Sequence, residues 1–427
     1  MKPDGQPADG PGGGAALAAQ IDAALDAAFA AVEAALAQAG SPAGSVSAAS
    51  SGAVAELLVR GLSSSDASVA CRAAKAVTRF VQFGAEADAA RAVAAAAGGA
   101  AVPALERLAA SGDDAAADAA WLAVLSLLGG HGQEARPGIV QRYAAADGAV
   151  EGLIKAVMQN ATPFSAIRVA YHLVADGGPE VSAQFAAADG LCARLVSFVA
   201  AVGDSPWQPS DDRCKSFHAA LLCMAALLCR QPAAVGPAMM AAEGLWAALE
   251  GVVARAGSST DDLEAWAVNA AMRIVHRLVC HSAAAERYAT CLDGLLAGLA
   301  AALAQPRHRQ WAQDALQAVA TRGGDGGDGE AAVAAAVAGA LACAADDAVR
   351  QQLRGWLAGP PMQMGAGAIR ALERKAVEAA ALRGRVAELE AIPVNTRAAI
   401  VELAHAVRGK RRREEEDEEE AGEEQRR

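Results

Sequence analysis

Most of this chain consists of helix-length segments in which apolar residues recur every three or four positions, the period of an amphipathic α-helix. In the segment 15–38 the apolar positions are Leu17, Ile21, Leu25, Phe29, Val32 and Leu36. β-Branched residues are sparse, and no stretch alternates apolar and polar residues as a half-buried strand would. The pattern therefore predicts an all-α protein.

A short segment built around glycine returns along the chain. Residues 145–154 place an acidic residue and a glycine before an amphipathic helix. Clear copies lie at 187–196, 241–249 and 291–299, and looser copies begin at Gly52 and Gly99. Glycine suits the left-handed position just past a helix end, so each copy is predicted to stop one helix and begin the next.

The spacing of these glycines indicates a repeat. The marker glycines 52, 99, 148, 190, 244 and 294 are 42 to 54 residues apart, which is typical of solenoids with two or three helices per unit. After each glycine comes a helix, then a polar turn such as 63–66, whose acid or serine can cap the next helix. A longer Ala-rich helix follows, as at 67–82, and a short helix leads to the next glycine.

Residues 52–62 and their continuation through Phe80 resemble an armadillo repeat, with Gly, two apolar residues, two variable residues, Leu-Leu, a turn and a long helix. The segments 134–148 and 180–190 are similar to that family's short first helix. The resemblance covers about residues 52–321 and implies a right-handed α-solenoid of about six armadillo-like repeats. The period is longer than in the family and residues 203–212 form an insertion, so HEAT-like packing stays an alternative.

The domain organisation follows from these segments. We predict a disordered N-terminus (1–14), an N-terminal capping helix and linker (15–51), the repeat array (52–321), a Gly/Asp loop (322–329), C-terminal capping helices (330–407) and a charged, disordered C-terminal tail (408–427). The charged helix 369–390 has about three imperfect heptads, which suit either a capping helix or a short coiled coil. In the tail, Lys410–Arg413 precede the acids of 414–420; this basic cluster is either an import signal or part of a solvated charge block.

Composition narrows the classes of partner. The 427 residues carry a net charge of −12, and an acidic body is a poor non-specific ligand for nucleic acid. Residues 1–14 lack the apolar core of a signal peptide, and the longest Ala/Val-rich run, 331–345, is shorter than the ~20 residues that a membrane span needs. We expect binding to neither nucleic acid nor membrane, and a cytoplasmic or nuclear location.

The reactive residue types form no recognisable site. The eight cysteines show no Cys-x-x-Cys pair and are predicted to be buried free thiols. His276 and Cys280 share a helix face, but a structural zinc site needs about four ligands and no second pair lies nearby in sequence. Hydrolase, metalloprotease and nucleotide motifs are lacking, and acidic pairs such as Asp113-Asp114 suit helix starts. We predict no enzymatic activity, cofactor or metal.

The armadillo resemblance implies a binding face. In that family the long helix of each unit lines a groove that takes extended peptides. The aligned positions, expected to be exposed, are Lys75, Arg79, Arg168, His172, Asn269 and Arg273. Each pair is four residues apart and shares a helix face, and such donors favour acidic or extended peptide segments. The alternative is a set of surface cations held in salt bridges.

The predicted function is thus a non-catalytic protein-interaction scaffold or adaptor. A karyopherin-like transport adaptor and an armadillo-type nucleotide-exchange factor for a chaperone are the alternatives. Trp266 and Asn269 invite comparison with the tryptophan–asparagine ladder of importin-α adaptors, but their spacing is three rather than four and no other unit repeats the pair. The partner, the face used and the oligomeric state stay open at this stage.

Overall fold

A computed structural model describes residues 48–83, 86–129, 136–159, 164–201, 212–257, 262–281, 292–322, 328–344, 346–359, 362–364 and 366–391. Throughout these ranges the regular structure is helical, and no strand occurs. The all-α prediction is confirmed. The predicted helices at 15–38 and 395–407, nearly all of the insertion at 203–212 and the charged tail lie outside the described residues.

The described ranges contain 19 α-helices. The first ten are α1 (Ala48–Leu62), α2 (Ala67–Phe83), α3 (Glu86–Ala95), α4 (Ala101–Ala109), α5 (Asp114–Leu128), α6 (Pro137–Ala144), α7 (Ala149–Gln159), α8 (Phe164–Asp176), α9 (Pro179–Ala187) and α10 (Leu191–Ala200). The others are α11 (Asp212–Arg230), α12 (Pro232–Ala241), α13 (Leu245–Val253), α14 (Asp262–His281), α15 (Asp293–Ala302), α16 (Arg309–Arg322), α17 (Asp328–Cys343), α18 (Asp347–Ala358) and α19 (Ala366–Ala391). The chain divides into two compact units, 1–333 and 334–427.

The first unit is an α-solenoid whose helices form rows. In each repeat the short helix before the glycine is called the first helix, the helix after the glycine the second, and the long helix the third. The third helix of each repeat packs against the third helix of the next, in the order α2, α5, α8, α11, α14 and α16. The second helices stack in the same way, in the order α1, α4, α7, α10, α13 and α15. Short first helices, such as α9 and α12, precede the second helices of their own repeats. Six layers of second and third helices therefore follow the repeat that the sequence predicts.

Apolar side chains fill the space between successive layers. Leu125 of α5, Leu227 of α11 and Val275 of α14 are fully buried. Each such side chain contributes about 1.5–3 kcal/mol relative to an exposed position. Because each repeat covers an apolar face of its neighbour, the stack is stabilised by its interfaces rather than by any one repeat.

The helix ends show how the sequence sets the layers. Asp113 accepts hydrogen bonds from the backbone N–H groups of Ala115 (2.9 Å) and Ala116 (3.4 Å) at the start of α5. Asp66 accepts from Ser68 (2.8 Å) and Val69 (3.4 Å) at the start of α2. These contacts confirm the predicted N-caps.

At the opposite ends, arginines connect neighbouring third helices. Arg230, the last residue of α11, donates to the carbonyl of Ala175 in the last turn of α8. Arg322, the last residue of α16, donates to the carbonyl of Cys280 in the last turn of α14. A cation beside the unpaired carbonyls of a helix C-terminus is favourable, so the same device joins two pairs of layers.

Four of the six marker glycines adopt the predicted left-handed backbone. The φ angles are 91° at Gly99, 76° at Gly148, 75° at Gly190 and 82° at Gly244. The prediction is wrong for Gly52 and Gly294. Because α1 already begins at Ala48, Gly52 lies inside that helix. Gly294 is the second residue of α15, where a Cβ would collide with the Glu250 carboxylate.

The predicted Gly/Asp loop is shorter than its sequence suggests. Helix α16 includes Arg322 and α17 begins at Asp328, so the predicted range 322–329 overlaps both helices. In the second unit, α18 packs against α19, which continues the charged segment predicted at 369–390 as one helix. In the described part of the chain, no single helix is long and apolar enough to cross a membrane. Helices α9 and α10 meet that criterion only jointly, with a bend of 79°.

Two glycine substitutions should change stability in opposite directions. Gly190→Ala is expected to lower the free energy of unfolding by about 1 kcal/mol, because a Cβ is disfavoured at its φ of 75°. Gly52→Ala should raise stability by about 0.5–1 kcal/mol, since this helical glycine has open space around its Cα. Circular dichroism during urea titration measures both. Equal shifts of the same sign would contradict the assigned backbone conformations.

Candidate partner-binding face

The predicted binding positions lie on the third helices, and the row of side chains at these positions is called here the third-helix face. On α2 this face carries Lys75 and Arg79, which are both exposed, as the sequence predicted. Ser68 and Gln82 lie at matching helical positions and are exposed too. The first repeat therefore contributes a cationic, solvated stretch.

In the third repeat the expectation of exposed donors is wrong. Arg168 and His172 of α8 are only 6% and 3% exposed, because α8 lies between α5 and α11 in the row. The Arg168 guanidinium lies 5.6 Å from the centroid of the Tyr171 ring, and its Nε has no hydrogen-bond partner in the described part of the chain. Burial lowers the pKa of Arg168.

The buried cation also affects the next layer. His218 of α11 is 4% exposed, and burial, with a smaller contribution from the Arg168 charge, lowers its pKa to about 3. His218 is therefore neutral at physiological pH. The middle of the row is a buried polar cluster (Arg168, His172 and His218) rather than a set of accessible hydrogen-bond donors.

Asn269 of α14 is half-buried and its side-chain amide is engaged within the protein. Its Nδ2 donates to the carbonyl of Arg307 at 3.4 Å, and its Oδ1 lies 2.8 Å from Nδ1 of His308. Since Oδ1 only accepts, the neutral His308 ring carries its proton on Nδ1. Burial of this ring, and next the Arg307 charge, lower the pKa of His308 and favour that neutral form.

Arg273, one turn further along α14, connects three third helices. Its guanidinium carbon lies 4.9 Å from the Trp311 ring centroid on α16, and its Nη2 donates to Sγ of Cys229 on α11 at 3.8 Å. Stacking on an indole holds a guanidinium in place without neutralising it. Among the described residues Arg273 has no carboxylate partner.

Trp266 completes this region of the face. It precedes Asn269 by three residues on α14 and is 49% exposed. Within the described residues of the first unit, no other large apolar side chain is as exposed. Tryptophan and arginine are among the residue types that are enriched at the energetic hot spots of protein interfaces. We call Trp266, Asn269, Arg273, His308 and Trp311 the α14–α16 cluster.

Sequence reasoning identified Asn269 and Arg273 but missed His308 and Trp311. The available signal was spacing: Cys229, Arg273 and Trp311 are 44 and 38 residues apart, close to one repeat each. Residues separated by one period occupy equivalent positions on adjacent third helices and can meet. That spacing places Arg273 and Trp311 at comparable positions on adjacent third helices, but it does not by itself show that they are in contact.

A second polar cluster is formed by Glu106 of α4, Tyr143 in the last turn of α6 and Asp147 in the turn that follows α6. Burial, and next the Asp147 charge, raise the pKa of Glu106 to about 7. Burial and the Glu106 charge raise the pKa of Tyr143 well above its ordinary value. In the described structure, Glu106 Oε1 and the Tyr143 hydroxyl are buried without hydrogen-bond partners.

This cluster should make stability depend on pH. The folded pKa of Glu106 exceeds its ordinary value of 4.5, so the folded state holds the proton more tightly and loses stability as pH rises from about 4.5 to 7. Glu106→Gln should remove that loss, so its melting temperature should exceed the wild-type value at pH 8 but not at pH 4. Glu151→Gln, an exposed change on α7, is the control. A pH-independent difference would contradict the assignment.

Where the structure describes them, the cysteines and histidines do not gather into a metal-ligand set. Cys192, Cys214 and Cys223 are buried, as predicted, whereas Cys343 is exposed and Cys71, Cys229 and Cys280 are half-buried. Burial raises the pKa of the Cys223 thiol to about 12, so it stays protonated. Over the ranges that the structure describes, no three His, Cys, Asp or Glu side chains are placed to hold a metal ion.

Comparison with known proteins adds little to this geometry. No protein-family model matches the chain, and no curated protein matches it. A solved structure from work described as "A conserved phosphorylation switch controls the interaction between cadherin and beta-catenin in vitro and in vivo" is similar to it, with a TM-score of 0.41 and 14% sequence identity. The match covers 77% of this chain and 68% of that chain. The fold and the face define the chain, at a coarse level, as an α-solenoid helical-repeat protein.

Proposed function

We propose that this protein is a non-catalytic scaffold or adaptor that holds an acidic or extended segment of a partner protein on the α14–α16 cluster. The observation that carries the proposal is Arg273, a half-buried guanidinium stacked on Trp311 with no carboxylate partner among the described residues. A carboxylate from a partner would pair with a cation that is already oriented, which strengthens the contact.

The neighbouring residues support a peptide rather than a small ligand. Trp266, two turns before Arg273 on α14, offers an exposed aromatic surface, and aromatic anchors of this kind dominate many interfaces. Asn269 and His308 hold each other, so they fix the shape of the cluster instead of extending to the partner. Lys75 and Arg79, four layers earlier in the row, would add charge attraction for a longer acidic segment.

Selection from a random-peptide library on the immobilised full-length protein tests this proposal. The retained peptides are expected to be enriched in Asp and Glu next to an apolar residue, and salt should weaken their binding. Arg273→Gln should weaken the binding of a selected peptide about tenfold or more, in line with loss of a charge-assisted hydrogen bond.

The matched control is Lys155→Gln, which removes an exposed cation from α7 in the second-helix row. Its peptide affinity should equal that of the wild type. If the selected peptides show no acidic enrichment, or if Arg273→Gln binds them as well as the wild type does, this function is ruled out.

A further inference from the structure

The second unit contains a groove of about 850 Å³ that belongs to none of the features above. The end of α17 contributes Leu341 and Ala342 to it, and α18 and α19 contribute charged residues and Val377. Val377 is 53% exposed, which is unusual for an aliphatic side chain on a helix that also packs against a neighbour. We call this the α18–α19 groove.

The charges in the groove are unbalanced. Its lining has four arginines, Arg350, Arg354, Arg370 and Arg374, but only two carboxylates, Glu373 and Glu378. Arg354 pairs with Glu373 at 2.6 Å, and Arg350 pairs with Asp347 at 2.9 Å. Arg370 and Arg374, one turn apart and both exposed, have no acidic partner in the described part of the chain.

We infer that the α18–α19 groove binds the chain's own acidic run, residues 414–420. Seven consecutive carboxylates stand there, the densest negative charge in the sequence. Arginine forks with an apolar floor suit a carboxylate-rich extended segment, because each guanidinium can hold a carboxylate through two hydrogen bonds. The same unit therefore supplies both the cationic groove and its anionic ligand.

The connection is long enough for this contact to form within one molecule. Ala391 ends α19, and Glu414 follows 23 residues later. Along the helix axis, Arg374 lies about 26 Å before Ala391. The 23-residue connection reaches at most about 75 Å when fully extended, and about 50 Å if the predicted helix 395–407 forms, so it exceeds the distance back to Arg374 in either case. The acidic run can therefore return to the groove within one molecule, which gives it an advantage over a separate peptide.

A competition experiment tests the inference. A fluorescent peptide of residues 412–421 is titrated with the wild-type protein and with a full-length variant in which Glu and Asp at 414–420 are changed to Gln and Asn. The tail-neutralised variant should bind the peptide, and the wild type should bind it at least tenfold more weakly because its own tail competes. Adding Arg370→Glu and Arg374→Glu to the neutralised variant should abolish binding.

Lys375→Glu in the neutralised variant is the matched control, because this exposed lysine lies on the same helix outside the groove. It should leave binding unchanged. Circular dichroism checks that the variant with Arg370→Glu and Arg374→Glu is folded. This variant should also bind a peptide whose acidic residues are replaced with lysine, because its groove now carries the opposite charge. The inference would be overturned if the wild type and the neutralised variant bound the peptide equally well, or if binding survived both arginine changes. It would also be overturned if competition grew with protein concentration, as expected when the tail of a second copy occupies the groove.

Discussion

A chain that ends at Ala242 is expected to aggregate instead of forming a shorter array. The cut removes α13 and α14, which cover α10 and α11 in the two rows of the stack. Helices α10 and α11 carry many fully buried apolar side chains, among them Leu195 and Leu227, and the part of that surface covered by α13 and α14 would then face solvent. Each buried leucine contributes about 1.5–3 kcal/mol, so the exposed layer loses more free energy than a marginally stable domain has in reserve.

Size-exclusion chromatography and circular dichroism measure this outcome. The control is a chain that ends at Arg322, which keeps all six third helices and should elute as a single species with the helical signal of the intact array. A monodisperse fragment 1–242 with the full helical signal per residue would show that the layers do not depend on each other, contrary to the stacking account.

Arg168→Glu is expected to destabilise the array by about 3 kcal/mol or more. The change places a carboxylate where the cation is 6% exposed and lies against Tyr171, and where the guanidinium Nε already lacks a hydrogen-bond partner in the described part of the chain. If the Arg168→Glu variant fails to bind a partner, that failure would then reflect unfolding of the protein. The sequence alone predicted an exposed Arg168, and at an exposed position a charge reversal would have little effect on stability.

Arg168→Met is the matched substitution. Methionine fills a similar volume without a charge, so stability should be unchanged or higher, as is common when buried ionic groups are replaced by apolar ones. Urea titration followed by circular dichroism compares the three proteins. If glutamate is tolerated as well as methionine, Arg168 is not buried in solution and the assigned packing of α8 is incorrect.

The layered fold could be predicted because its determinants are local. Asp66 and Asp113 cap helices whose first residues follow them directly in sequence. Gly190 and Gly244 stand where only a residue tolerant of positive φ fits between two helices. Local signals also misled, since Gly52 carries the same motif but lies within α1, whose start at Ala48 the motif does not encode.

The candidate site could be predicted only in part, because exposure depends on neighbouring layers. Lys75 and Arg168 occupy similar sequence patterns, yet the first is exposed and the second is covered by packing between α5 and α11. Asn269 has its partner His308 a full 39 residues later, in the segment that precedes α16. Periodicity indicates that such residues are equivalent between repeats, but it does not indicate which of them touch.

Site-specific photo-crosslinking tests most directly whether the third-helix face holds a partner segment. A photoreactive phenylalanine analogue is placed at Gln310, the exposed residue that precedes Trp311 on α16, or at Ala247, exposed on α13 in the second-helix row. We expect the probe at Gln310 to crosslink an acidic peptide from the selected pool, and the Arg273→Gln change to suppress that product. The account would be contradicted by stronger crosslinking from Ala247 than from Gln310, or by crosslinking from Gln310 that is unchanged by Arg273→Gln.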